Sequence, residues 1–458
     1  MHIRARIFNC STLLLASWLA GCDSDAWFGD GPGATAAVTT PSGIQTGDIQ
    51  ITYTLTGDDP TSDVEVSYST GGAGFREASQ GTGGDGTENL SASPAGETHT
   101  FVWASHEDLD GRRESSVLLR IAPEGGTADT TQAIKVNNGR FLAAVERGST
   151  GRLRLYSLDA MAGDMEFLQV LQTGGVDPHD VLFQGTFCFV VHQTTNDVAA
   201  LTLDEAHGVL FPVAGSPFSG DGTGAKYLAT DGSHLFVSNV SSGTLTVFDL
   251  DSQSGKLTLN AHSGVSAPGC QSLVVRSGRL YVASESSGSI LIFDILSGGE
   301  LSTNGASPVT AGGLSSPRAT AVLDTRLYCA NVLAGSLCGF NVQGGGDLAP
   351  IPGSPFGLSG AGVEQLARNG NKLFGVTGAG AQLISLSVDA SGGVTEDLGS
   401  PSSLTGPAFG VGSVGGVVIA TTTTSRRLHI WTIDGTGTIS SAGSLDALAE
   451  IGRIAISE

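Results

Sequence analysis

From residue 140 onward the chain alternates short apolar runs with polar, glycine-bearing links. "RFLAAVE" at Arg140 is followed by "TFCFVVH" at Thr186, "SHLFVSN" at Ser233, "GRLYVAS" at Gly278, "TRLYCAN" at Thr325, "NKLFGVT" at Asn371 and "GVVIATT" at Gly416, at steps of 46, 47, 45, 47, 46 and 45 residues. A second run follows each, among them "GRLRLYSLD", "GTLTVFDLD" and "RRLHIWTID", in the same rhythm. Both runs are of strand length and rich in Val, Leu, Ile and aromatics, and the link between them has turn chemistry, so each unit contains a hairpin. A weaker outer strand comes next ("GKLTLN", "GELSTN"), then a turn, then an inner strand such as "QSLVV". Four strands per unit and a period of about 40 to 50 residues predict an all-β fold, a β-propeller whose sheets bury both faces against their neighbours. Seven units predict seven blades.

One turn is written twice. Gly215-Ser216-Pro217-Phe218 returns as Gly353-Ser354-Pro355-Phe356, 138 residues on, which is three units. It is expected to carry the chain from the rim of one blade toward the hub of the next, with Pro fixing the bend, Gly permitting it and Phe packing beneath. "ASPV" at Ala306 and "GSPSS" at Gly399 read as degraded copies. The inner strands "HDVLF", "KYLAT", "QSLVV", "RATAV", "EQLAR", "FGVGS" and "GRIAI" leave no hairpin after the last. Pairing therefore requires the C-terminal strand to sit beside "RFLAAVE", closing the ring in the first blade.

Residues 34–137 lack this period. They carry alternating segments, "IQITYTL", "VEVSYST", "THTFVWAS", "SVLLRIAP" and "QAIKVNN", between Gly, Asp and Pro turns. That pattern predicts an immunoglobulin or fibronectin type III-like β-sandwich, with Tyr53 and Trp103 as core aromatics and spacing as its simplest role. The propeller is expected over 138–458.

The period also places side chains. Carried from unit to unit, the position opening each inner strand reads His179, Lys226, Gln271, Arg318, Glu364, Phe409 and Gly452, and two residues further in it reads Val181, Leu228, Leu273, Thr320, Leu366, Val411 and Ile454. A polar collar should ring one channel mouth above an apolar wall. Convergent polar groups at such a mouth form a ligand-binding site, or simply a wet channel rim. As chemistry, Glu364 or His179 would act as base toward a water attacking a lactone carbonyl, with Arg318 and Lys226 holding an anionic substrate or the developing oxyanion.

The chain opens "MHIRARIFNCSTLLLASWLAGCDSD", where Arg4 and Arg6 precede an apolar run too short to span a bilayer. Residues 1–21 read as an export signal. Leu19-Ala20-Gly21-Cys22 resembles the lipobox of bacterial lipoproteins, which implies lipidation at Cys22, a tether over 22–33, and a protein on the inner or outer membrane facing the periplasm or exterior; an ordinary signal with a chance cysteine is the alternative. Glycine is abundant, 67 of 458 residues, against roughly 7% in most proteins, which suits short strands and tight turns. The formal charge of −22 excludes nucleic acid as a partner and leaves lipid, not a basic patch, as the membrane contact. Beyond Cys10 and Cys22 only Cys188, Cys270, Cys329 and Cys338 remain, too few for a disulfide scaffold. Cys329 and Cys338 flank a hairpin turn; they are either a cross-strand bridge or two buried thiols.

The repeats resemble the seven-bladed lactonase-like propellers, the family of bacterial 6-phosphogluconolactonase and of proteins with YVTN-type repeats. The likeness rests on "LFVSNVSSGTLTVFDLD", "RLYVASESSGSILIFDI", "LYCANVLAGSLCGF" and the two GSPF turns. It implies the architecture, and those motifs are structural. "DPHD" at Asp177 resembles the Pro-His before an inner strand of such enzymes, without a full catalytic set. Two readings stand: a monomeric, lipid-anchored exported propeller that binds a protein partner or a carbohydrate or sugar-acid ligand at its channel mouth, and a lactone hydrolase acting on a sugar-acid lactone. No cofactor is expected. "DLDSQSG" at Asp249 lacks the bidentate Glu of a calcium loop, the histidines have no zinc spacing, and a Gly-x-Ser-x-Gly elbow is missing.

Overall fold

A computed structural model describes residues 33–457 except 149, 361 and 448. The signal over 1–21, the lipidation position Cys22 and almost all of the 22–33 tether lie outside the described residues. The chain is all-β, with one four-residue helix, Ser105–Asp108, among the described elements.

Residues 35–137 build two main sheets packed face to face and a small two-stranded one, Thr61–Ser62 with Leu90–Ser91. In Asp48–Thr56 the burial alternates strictly, so Ile49, Ile51, Tyr53 and Leu55 point into the core while their neighbours face out. This strand lies between Thr35–Val38 and Glu97–Ala104. The opposing sheet, centred on Val64–Thr70, Arg113–Pro123 and Ile134–Asn137, turns Val66, Val117, Leu119 and Ile121 into the same core. Trp103 is fully buried, and its indole N–H donates to Asp108 Oδ2 at 2.6 Å, so burial of the ring leaves no stranded donor.

The remaining strands form seven sheets arranged around one axis. The innermost strands are Pro178–Gln184, Ala225–Thr230, Cys270–Arg276, Pro317–Leu323, Val363–Asn369, Ala408–Val414 and Ile451–Ile456, each lying beside the next. The first blade takes its inner strand from the far end of the chain: Ile451–Ile456 pairs antiparallel with Arg140–Glu146, opposing Leu142 to Ile456 and Ala144 to Ile454. The second to seventh blades follow in chain order. Second strands are apolar on both faces because each blade is covered twice; every residue of Phe187–His192 is buried. Among the described residues an apolar cluster fills each of the seven blade-to-blade interfaces, from Phe141 and Val181 between the first and second to Tyr156 and Ile419 between the seventh and first.

The repeated turn has a polar cause. Ser216 Oγ accepts the backbone N–H of Ala200 at 3.0 Å, and Ser354 Oγ accepts that of Gly339 at 3.1 Å. Ser307 does the same for Ile292 and Ser400 for Ser385, so both degraded copies keep the bond. Ser263, in a turn without proline, caps Val247 at 2.9 Å and is a fifth copy that motif reading passes over. In each case the hydroxyl satisfies a third-strand N–H that the ladder leaves open. Gly215 enters the turn at φ 89°, where a side chain would be strained.

Cys329 and Cys338 stand directly opposite each other across neighbouring strands. Both are free and buried, and Asn331 Nδ2 lies 3.2 Å from Cys338 Sγ.

Candidate functional site

Six of the seven inner-strand entries carry a register shift on their own pairing with the second strand, and the closing strand carries one in its pairing to Arg140–Glu146. The shift falls at His179, Lys226, Arg318, Glu364 and Phe409, each skipped between two paired neighbours. A bulge of this kind lifts one residue out of the ladder and re-aims its side chain. Here it directs the collar toward the axis, while the residue before it (Pro178, Ala225, Pro317, Val363 or Ala408) stays buried.

The bulged residues surround a cavity of about 150 Å³ lined by Arg147, His179, Lys226, Tyr227, Arg318, Glu364, Phe409, Gly452 and Arg453. Gln271 does not line it. Its Nε2 donates to Glu285 Oε2 at 2.8 Å, and Glu285 Oε1 accepts from Arg318 Nη2 at 2.6 Å. Arg318 Nη1 in turn donates to Glu364 at 3.0 and 3.2 Å. Gln271, Glu285, Arg318 and Glu364 thus form one hydrogen-bonded arc across the fourth, fifth and sixth blades.

The other cations are held differently. Arg147 lies over the Phe409 ring, 4.4 Å from its centroid, and Arg453 over Tyr227 at 4.5 Å. Lys226 Nζ approaches the same Tyr227 ring at 5.3 Å. Cations stacked on aromatic faces keep their charge available to a ligand. Arg453 also lies 3.8 Å from buried Asp180; among the described residues Arg147 and Lys226 have no carboxylate within ion-pair distance. Burial, followed by the charges of Arg318 and Arg453, pulls the Lys226 ammonium below the usual lysine range. Burial, with Lys226, Arg453 and Arg147, holds His179 well below the ordinary imidazole value, so the ring is neutral. It packs edge-on against Tyr227, with its Nδ1 buried and unpaired.

Beneath Tyr227 and Arg453 the channel widens into a second cavity of about 410 Å³, walled by Val181, Leu228, Leu273, Thr320, Leu366 and Ile454. Polar side chains one step above that wall stitch neighbouring inner strands together: Asp180 accepts Leu228 N–H at 3.1 Å, and Gln365 accepts Val411 N–H at 3.1 Å.

The unit period leads to the collar but passes over Arg147, Glu285, Tyr227 and Arg453. Arg147 and Glu285 each follow a second strand and stand 138 residues apart, so the same register, applied to the hairpin ends, locates both. Tyr227 and Arg453 sit one residue past the collar position.

The family described as "Lactonase, 7-bladed beta-propeller" matches residues 99–224. A Bacteroides fragilis protein solved as a candidate 6-phosphogluconolactonase is 17% identical, with a TM-score of 0.60 over 70% of this chain and 98% of that one. The propeller shares its fold with lactonase-type structures. The periplasmic gluconolactonase of Pseudomonas aeruginosa is 18% identical, with a TM-score of 0.58 over 70% of this chain and 99% of that one. A Lactobacillus plantarum protein shares the fold at the same identity and TM-score. No curated protein sequence matches the chain. At these identities the likeness concerns the fold.

Proposed function

We propose that this lactonase-type propeller binds a compact anion, of the sugar-acid class, in the cavity at its channel mouth. One observation carries the reading: in a chain of formal charge −22, Arg147 and Lys226 face a cavity of about 150 Å³ with no carboxylate partner among the described residues, beside Arg453 and Arg318. A water occupies roughly 30 Å³, so the space fits a carboxylate or phosphate head with a few attached atoms. Partial removal from bulk water strengthens the attraction of such a group to the fixed cations. In the same reading the chain is exported, anchored through lipid on Cys22, and spaced from the membrane by an immunoglobulin or fibronectin type III-like sandwich. The pairing of the last strand with the first blade closes the ring.

The test is calorimetric titration with D-gluconate and with inorganic phosphate. Binding that is lost in Lys226→Met and in Arg147→Ala supports the site. No heat from either anion removes it.

A second reading, opening of a sugar-acid lactone, is favoured by the neutral His179 with its unpaired Nδ1. His179 would take a proton from water, the hydroxide would add to the lactone carbonyl, and the ring C–O bond would break with the proton returned to the leaving alkoxide. Lys226 and Arg453 would hold the oxyanion. Hydrolysis of glucono-δ-lactone followed by pH-stat, lost in His179→Ala or Glu364→Ala, supports the enzyme; no turnover at high protein concentration leaves the binder.

A further inference from the structure

The closing strand is built into the site. Gly452 and Arg453 line the cavity, and Arg147 reaches it from the end of the strand that Ile451–Ile456 pairs with. The glycine leaves room for that arm, because a Cβ at residue 452 would stand 2.9 Å from Arg147 Cγ and shift the side chain that lies on Phe409. Arg453 spans the hub. Its Nη2 donates to the Glu364 carbonyl of the sixth blade at 2.5 Å, its Nη1 lies 3.8 Å from Asp180 of the second, and its guanidinium covers Tyr227 of the third. The seventh blade makes room for the strand with two glycines: a Cβ at Gly410 would come within 2.5 Å of the Gly452 carbonyl, and one at Gly412 within 2.9 Å of Ile456. Thr421 Oγ1 donates to that same carbonyl at 2.6 Å.

We infer that anion binding and ring closure are a single linked equilibrium, with Arg453 the positioning residue shared between them. If the last strand leaves its place, Arg453 goes with it and Arg147 loses the surface that sets its direction, so two of the four cations depart together. An anion that binds only the closed ring must then oppose opening of the seam, in proportion to its concentration over its dissociation constant. The inference rests on the anion-binding reading and goes beyond it: binding alone does not require that the seam be the part that opens.

The experiment is hydrogen exchange on the full chain, free and with D-gluconate at about 100 times the dissociation constant found by calorimetry. Amides of Ile451–Ile456 and Arg140–Glu146 are expected to exchange by local opening, faster than those of Cys270–Arg276 across the ring, and to slow by about 100-fold with ligand. Binding with seam exchange unchanged overturns the linkage and leaves the site. Equal slowing in every blade also overturns it, since the ring then opens only as a whole. No calorimetric heat removes the anion-binding reading and this inference with it. Arg453→Lys, which keeps the charge but not the three-way reach, is expected to retain measurable binding while losing most of the seam slowing.

Discussion

Arg318 donates to Glu285 across 2.6 Å, joining the fifth blade to the fourth through half-buried side chains. Its other arm is held by Glu364. Arg318 is therefore braced between two carboxylates, and Glu364, already engaged by a cation, places a negative charge beside the cavity. Glu364→Gln keeps the shape and an acceptor oxygen while removing that charge. The expected result is tighter D-gluconate binding, by several-fold, on the order of 1 kcal/mol for one charge at this range in a partly screened site. Calorimetry on the variant decides: weaker binding means that Glu364 itself contacts the ligand.

The serine of the repeated turn is expected to matter more than its proline. Ser216→Ala leaves the Ala200 N–H without its acceptor in a part-buried position, which costs about 1 to 2 kcal/mol. Ser263→Ala removes the same bond to Val247 in a turn that has no proline. Urea unfolding should return similar losses for the two. A loss confined to Ser216 would mean that the hydroxyl stabilises only where a proline also holds the turn.

Much of this architecture was legible because rotational repetition converts chain distance into position on a ring. His179, Lys226, Arg318 and Glu364 could be grouped without contacts, since each opens an inner strand a whole number of units after the last, and the structure sets all four around one cavity. What the register does not carry is reach. Gln271 holds the equivalent place, yet it turns to Glu285 and stays behind the cavity wall. Arg453 stands one residue past the collar and still enters, because a long guanidinium can lie across Tyr227. The serine bonds were hidden for a related reason: Ser263 keeps the geometry of the turn while losing its most visible residue.

Gly410 tests how tightly the seventh blade grips the last strand. Its φ is not in the left-handed region, so a change to alanine carries no backbone strain, only the contact of a new Cβ with the Gly452 carbonyl at 2.5 Å and the Thr421 hydroxyl at 2.6 Å. Neither neighbour can yield easily, because they are hydrogen-bonded to each other. Gly410→Ala is expected to destabilise the protein by about 1 to 3 kcal/mol, as overpacking does. Gly435→Ala, at a position where nothing lies within 4 Å of a new Cβ, is the control and should lie within about 0.5 kcal/mol of the native chain. Equal melting temperatures for the two variants would mean that the closing strand sits loosely.

The neutral state of His179 has a consequence in acid. In the unfolded chain the imidazole titrates near its ordinary value, about 6.5, whereas in the folded protein burial and three neighbouring cations hold it well below that. Between the two values the unfolded state binds a proton that the folded state refuses, so stability falls as the pH drops below about 6.5, by up to about 1.4 kcal/mol per pH unit. His179→Gln removes the titration and keeps a polar group against Tyr227. Melting temperatures measured from about pH 7 to pH 5 should fall more steeply for the native chain than for the variant, and the carboxylates, common to both, cancel in the difference. Parallel curves would mean that the ring takes up its proton in the folded protein as readily as in water, and a cation at that position would strengthen anion binding in acid instead of leaving it to Arg147, Lys226 and Arg453.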